Sequence, residues 1–195
     1  MIFDLKPAKK ELDRAYRCFD NMRSAKNYDD YETNWRNYLN HIEKCIEKIE
    51  VATIPIRGAF SSAMADEIKI RNSDQLLIYI KQARNADNHS IQDLSKLTPG
   101  GVGINPLIGN SLFIKKMTID NDVIHYDGDP ITITFYPSKI EVIEITNRGK
   151  KFPPPTTHIG ATVSSKDPLF IAESGINFYR NFIKKIEQKL MSGTK

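Results

Sequence analysis

Arg84, Asn85, Asp87, Asn88 and His89 lie within six consecutive residues, Arg-Asn-Ala-Asp-Asn-His. An arginine keeps its charge at every physiological pH and can grip a phosphate through two parallel hydrogen bonds. A histidine gives and takes a proton near neutrality. An amide beside them can orient the imidazole or bind phosphate oxygen. Together these groups could cleave a phosphodiester without a metal, with His89 as general acid or base and Arg84 as a clamp on developing charge. Asp87 and Asn88 are the weaker binding candidates.

The stretch closes an apolar-periodic segment, SDQLLIYIKQARNADNHS, so the sequence places it at the end of a helix. Residues four apart on a helix nearly align, which puts Asn85 with His89 and Arg84 with Asn88. Residues five apart diverge by about 140°, so Arg84 reaches the same volume only through the length of its side chain. The same six residues also fit an exposed helix terminus whose histidine meets the C-terminal dipole.

Other helices must hold this one. Leu5, Ala8, Leu12, Ala15, Phe19 and Met22 recur at steps of three and four and predict a first amphipathic helix, with Asp4 as its cap and Pro7 in its first turn. Trp35, Leu39, Ile42, Ile46 and Ile49 predict a second from about residue 30 to 51, antiparallel to the first across a short polar break. Residues 52–71 are interrupted by Pro55 and Gly58 and hold a short helix at most. Asn72 or Ser73 can cap the helix that carries the Arg–His stretch. At the other end of the chain, Asp167 and Pro168 open a helix whose stripe is Leu169, Ala172, Ile176, Tyr179, Ile183, Ile186 and Leu190.

Between these helices the composition shifts. Residues 96–111 are rich in glycine and proline and read as a loop. Residues 112–163 alternate as a small antiparallel sheet of three or four strands, LFIKKMTI, VIHYD, ITITFY and SKIEVIEIT, followed by an irregular proline-rich segment, NRGKKFPPPTTHIG. The expected organisation is therefore a helical bundle over 1–95, a loop over 96–111, a β insertion over 112–163, and a C-terminal helix over 164–195 that packs back on the bundle. The fold class is α+β, with four to five helices.

The segment resembles the HEPN superfamily, whose mark is Arg-x4–6-His within a late bundle helix, often with a polar residue directly after the arginine. Here the spacing is Arg84-x4-His89, with Asn85 in the polar position. The resemblance covers roughly residues 1–95. It implies a HEPN-like bundle and a metal-independent endoribonuclease, needing no cofactor. Such proteins act as homodimers whose two motifs face each other across a cleft. The implied reaction is attack of the RNA 2′-hydroxyl on phosphorus, leaving a 2′,3′-cyclic phosphate and a 5′-hydroxyl. A toxin or defence effector held by an antitoxin protein is the implied setting. The sheet and the final helix exceed the minimal bundle. A non-catalytic HEPN-like module that binds nucleic acid or a protein remains the alternative. So does a helical interaction protein outside the family, with the sheet as its binding edge.

The remaining chemistry-bearing residues read as structural. His41 lies beside the second helical stripe, His125 in a strand, and His158 in a loop that could approach a cleft. Asp120, Asp122, Asp127 and Asp129 lack calcium-loop spacing. Trp35 and Tyr38 fall at core spacing, although they, Tyr28 and Tyr31 are of the type that stacks bases. Cys18 and Cys45 have no metal or disulfide spacing. The 195 residues are 40% apolar and 27% charged, with a net charge of +4 that permits a polyanionic partner without demanding one. The charged N-terminus and the absence of a long apolar run predict no membrane association and a cytoplasmic protein.

Overall fold

The computed structural model describes residues 3–121 and 123–191. The first apolar stripe becomes α1 (Lys6–Ser24), with Leu5, Ala8, Leu12, Ala15, Phe19 and Met22 all buried. Asp4 accepts from the Lys6 amide at 2.8 Å at its entrance. Asn27 caps α2 (Tyr28–Ala52) by accepting from the Asp30 amide at 2.8 Å. Asp29 and Asp30 place negative charge on the first turn of α2, where the helix dipole favours it. Contacts between α1 and α2 run in opposite senses along the two helices. Asn21 donates to Asn34 near the turn, and Glu11 bonds His41 farther away. The pair is thus an antiparallel hairpin.

After Pro55 the chain makes a single 3-10 turn and two short helices, α3 (Arg57–Ala63) and α4 (Ala65–Ser73). The sequence allowed one short helix here. The cap of α5 (Gln75–His89) is Asp74, one residue beyond the expected Asn72 or Ser73, which lie in the last turn of α4. Asp74 accepts from the Leu77 amide at 3.0 Å. The last long helix, α6 (Pro168–Ile186), opens as its sequence predicts, with Asp167 accepting from the Leu169 amide at 2.8 Å. It packs against α1, α2 and α5. Trp35, Tyr38, Leu39 and Ile42 of α2, Leu76, Leu77 and Ile80 of α5, and Ala172 and Tyr179 of α6 are almost fully buried in this core. Gly175 allows the close crossing. A Cβ there would stand 2.3 Å from the Tyr38 hydroxyl and 2.7 Å from Ile80 Cδ1.

The β content departs from the single small sheet expected. Among the described residues it consists of five two-stranded pairs. The stretch 96–111 is not a loop. It carries most of β1 (Ser95–Thr98) and all of β2 (Gly101–Pro106), whose glycines conceal an alternation at Val102 and Ile104. β3 (Ile114–Asp120) pairs with β4 (Val123–Gly128), and β2 with β5 (Ile131–Tyr136). SKIEVIEIT is split into β6 (Lys139–Val142) and β7 (Ile145–Asn147). The proline-rich segment also forms hairpins. β7 pairs with β8 (Lys150–Phe152), and β9 (Thr157–His158) pairs with β10 (Ala161–Thr162). Both turns are two-residue and left-handed, Arg148-Gly149 at φ 49° and 74° and Ile159-Gly160 at φ 48° and 78°. Glycine takes that conformation freely.

The chain divides into two compact units, one of residues up to Lys96 together with those from Ile140 on, the other Leu97–Lys139. The expected β insertion over 112–163 is therefore not one body. Val142 and Ile145 are buried in the helical unit, and the Tyr79 hydroxyl donates to the Ile143 carbonyl at 2.8 Å. Among the described residues no helix is long and apolar enough to cross a membrane.

Candidate functional site

The last two turns of α5 carry the Arg–His stretch. Ala83 and Ala86, small and fully buried, set the inward face. The polar residues therefore fan out on either side of that face. Arg84 turns toward α2. Its Nη2 lies 3.3 Å from Glu47 Oε1, and its Nη1 donates to Asn85 Oδ1 at 3.3 Å. The side chain is 23% exposed, and its buried Nε has no hydrogen-bond partner. Deeper on the same side of α2, Glu43 receives Arg71 Nη2 at 3.0 Å. Burial pushes the Glu43 carboxyl above its ordinary value, against the pull of the Arg71, Lys81 and Arg84 charges. Arg84 thus belongs to the flank of a mixed-charge cluster formed by α2, α4 and α5.

Asp87 meets Arg36 of α2, which also binds Glu32 at 2.8 Å and the Gln92 carbonyl at 3.4 Å. Asp87 is therefore engaged in holding α5 to α2. Asn88 and His89 are exposed. Among the described residues His89 makes no hydrogen bond and no ion pair. The helix stops at once after it. The Ser90 amide and hydroxyl both donate to the Ala86 carbonyl, at 2.9 and 2.7 Å. Gln92 then bonds the Thr146 backbone through both its side-chain atoms, at 2.8 and 3.0 Å, which fixes the segment after His89 against β7.

Of the five singled-out residues, the structure brings Arg84 and Asn85 together and sends Asp87 to Arg36. It does not join Asn85 to His89. Asn85 is occupied by Arg84, one residue before it in sequence. Arg84 and His89 share no hydrogen bond, in keeping with the angular divergence of positions five apart. The site is a partly exposed guanidinium turned toward α2 and, five residues on, an exposed imidazole at the end of the same helix. The Arg84–Glu47 pair is an obstacle of limited size. Glu47 is 53% exposed, and ion pairs of that kind contribute about 0–1 kcal/mol. A phosphate could displace it.

Arg36 and Glu47 escaped the sequence reading. The signal for Arg36 was present as Glu32 and Arg36 at the i,i+4 spacing of an ion pair. Glu47 bears on the site only through the packing of α5 on α2. The aromatic residues near Trp35 offer no stacking platform. Trp35 and Tyr38 are buried and stacked on each other with centroids 5.4 Å apart. Tyr31 donates to Asp167, and Tyr28 to the Ser95 carbonyl. His41 bonds Glu11 at 2.7 Å. His158 bonds Asp74 at 2.9 Å and lines a cleft of about 530 Å³ between α4, α6 and the β9–β10 hairpin, to which none of residues 84–89 contributes. No protein-family model, no curated protein and no solved structure matches this chain.

Proposed function

We propose that the chain is a HEPN-type endoribonuclease that works as a homodimer, cleaving RNA without a metal at a site built from Arg84, Asn85 and His89 of both copies. The observation that carries the reading is the state of His89. It ends α5 exposed and without a partner, five residues after an arginine whose own ion pair is weak enough to give way. His41 and His158 are each tied to a carboxylate, and His125 in β4, exposed like His89, has no arginine on its own strand. The antiparallel pair α1–α2, with α5 and α6 packed against it, also suits a HEPN-like bundle.

The chemistry follows from the residue types. The 2′-hydroxyl of RNA is an internal nucleophile already near its phosphorus, so positioning removes much of the barrier. One imidazole takes the 2′ proton while another protonates the departing 5′ oxygen. Arg84 meets the charge that builds on the non-bridging oxygens. One copy supplies a single histidine at this site, so two copies are needed for an acid and a base.

His89→Ala and Arg84→Ala should each abolish chelator-resistant cleavage of labelled RNA while the far-UV circular dichroism stays that of the unaltered protein. Undiminished cleavage by either purified variant removes the assignment. One observation favours a second reading, a non-catalytic HEPN-like module that binds nucleic acid or a protein. Glu47 and Asn85 already occupy the Arg84 guanidinium. Under that reading the unaltered chain shifts labelled RNA in a gel but leaves it uncut. The setting as a toxin or defence effector with an antitoxin protein belongs to the first reading and rests on the family resemblance alone.

A further inference from the structure

Leu97–Lys139 has an unsatisfied apolar face. Side chains alternate across a strand, and directly opposed residues share a face. The β2–β5 register opposes Val102 to Phe135, Ile104 to Ile133 and Pro106 to Ile131. That face of the ribbon is wholly apolar. The other presents Gly101, Gly103, Asn105, Thr132, Thr134 and Tyr136. The β3–β4 ribbon repeats the division, with Met117 opposed to Tyr126 and Ile119 to Ile124, while Thr118 and His125 share the opposite face. The unit holds no second layer to cover either apolar face. None of its described residues is buried. Phe135 is 72% exposed and Ile119 68%. An isolated two-stranded ribbon is marginal in water, so these faces call for a partner.

Eleven of the eighteen exposed large hydrophobic residues of the described chain lie in Leu97–Lys139. Those of the helical unit are Val51 and Ile54, three residues apart, and Tyr16, Ile91, Ile159, Phe170 and Met191, each on a different element. The ribbon unit carries three lysines and four aspartates in its sequence, so it is close to neutral and unsuited to a phosphate backbone. The surface that does match this face in length, chemistry and charge is the same face on another copy.

We propose that Leu97–Lys139 is a self-association arm, in which the apolar faces of two copies pack against each other as two β layers. Such layers stack about 10 Å apart with their side chains interdigitated, and a face that meets its own copy about a two-fold axis forms a closed dimer. Val102, Ile119, Ile133 and Phe135 on these faces are 39–72% exposed, and Leu107, Ile108 and Phe113 between the ribbons 61–82%, an apolar surface to set against the roughly 800 Å² per partner of a standard interface. The arm does not depend on the ribonuclease reading. A dimer held this way stands whether or not RNA is cut.

Sedimentation velocity of the full chain from low to high micromolar concentration tests the arm. The unaltered protein should sediment as a dimer. Ile133→Lys/Phe135→Lys should sediment as a monomer with unchanged helical circular dichroism. Ile133→Thr/Phe135→Thr, which keeps strand propensity, should shift the equilibrium the same way. Thr134→Lys, on the polar face, should leave the dimer intact. A monomer at every concentration overturns the proposal, and so does a dimer that survives the double substitutions. Loss of the dimer in Thr134→Lys would also overturn it, because the apolar face would then not be what is read.

Discussion

His89 and Arg84 differ in what their loss should do to the fold, and that difference makes them usable probes. Among the described residues His89 makes no hydrogen bond or ion pair and is exposed, so His89→Ala should change folding stability by less than about 0.5 kcal/mol. Arg84→Ala releases Glu47 and relieves a buried, unpartnered Nε, and should stay within about 1 kcal/mol by urea denaturation. Loss of activity with stability preserved then reports on chemistry. Elsewhere the carboxylates decide the response to acid. Burial alone would raise Glu11 and Glu67, but the His41 hydrogen bond with the Arg14 charge, and the Lys185 and Lys189 ammonium groups, hold each below the ordinary value of 4.5. A carboxyl depressed in the folded state stabilises above its unfolded pKa, and that contribution is lost as pH falls through the folded pKa. Glu43 works in the opposite direction. Burial raises it, so its ionised form costs stability as pH rises through its folded pKa. Urea midpoints taken from about pH 6 down to about pH 3 should therefore fall below about pH 4.5, and Glu11→Gln/Glu67→Gln should flatten that fall. An unchanged slope in the double variant would assign the acid response to other groups.

Asp74 joins two elements that the sequence kept apart. It caps α5, accepts from His158 at 2.9 Å, and accepts from the Ile159 amide at 2.7 Å. Asp74→Ala removes a cap worth about 1 kcal/mol and two further bonds of about 1 kcal/mol each. The expected loss is about 2–3 kcal/mol by urea denaturation, with Asp74→Asn losing less, because its one amide oxygen keeps the cap while its NH2 faces the Ile159 amide and forfeits that bond. Equal losses in the two variants would show that the cap and hairpin bonds are not what Asp74 contributes. The helices were legible because their stripes are amphipathic and capped. Every apolar residue named for α1 is buried, and Asp167-Pro168 opens α6 as its sequence indicates. Asn72 and Ser73 are as good caps for α5 by type as Asp74, and only the break between α4 and α5 selects Asp74. The ribbons were harder to see. Gly101 and Gly103 interrupt the alternation of β2, and the turns at Arg148-Gly149 and Ile159-Gly160 place a bulky residue at positive φ, which sequence preference argues against.

At the scale of the whole molecule the chain pairs a helical unit with a well-buried core and a β unit with none. That imbalance was visible only in part from the sequence. The alternation of Ile131, Ile133 and Phe135 signalled one apolar face, but only the absence of a second layer shows that the face is uncovered. The location of the Arg–His stretch at the end of a packed helix was legible, since periodicity and polarity change together there. The division of Arg84 toward Glu47 and Asp87 toward Arg36 was not, because it depends on how α5 lies on α2. The proposed activity of His89 and Arg84 is cleavage of RNA through its own 2′-hydroxyl. The most direct measurement offers the purified protein, with chelator present, a single-stranded ribo-oligonucleotide and its all-deoxy counterpart, and identifies the ends produced. The ribose strand should be cut to fragments ending in a 2′,3′-cyclic phosphate and a 5′-hydroxyl while the deoxy strand stays whole. An uncut ribose strand, or equal cutting of both, would contradict that activity.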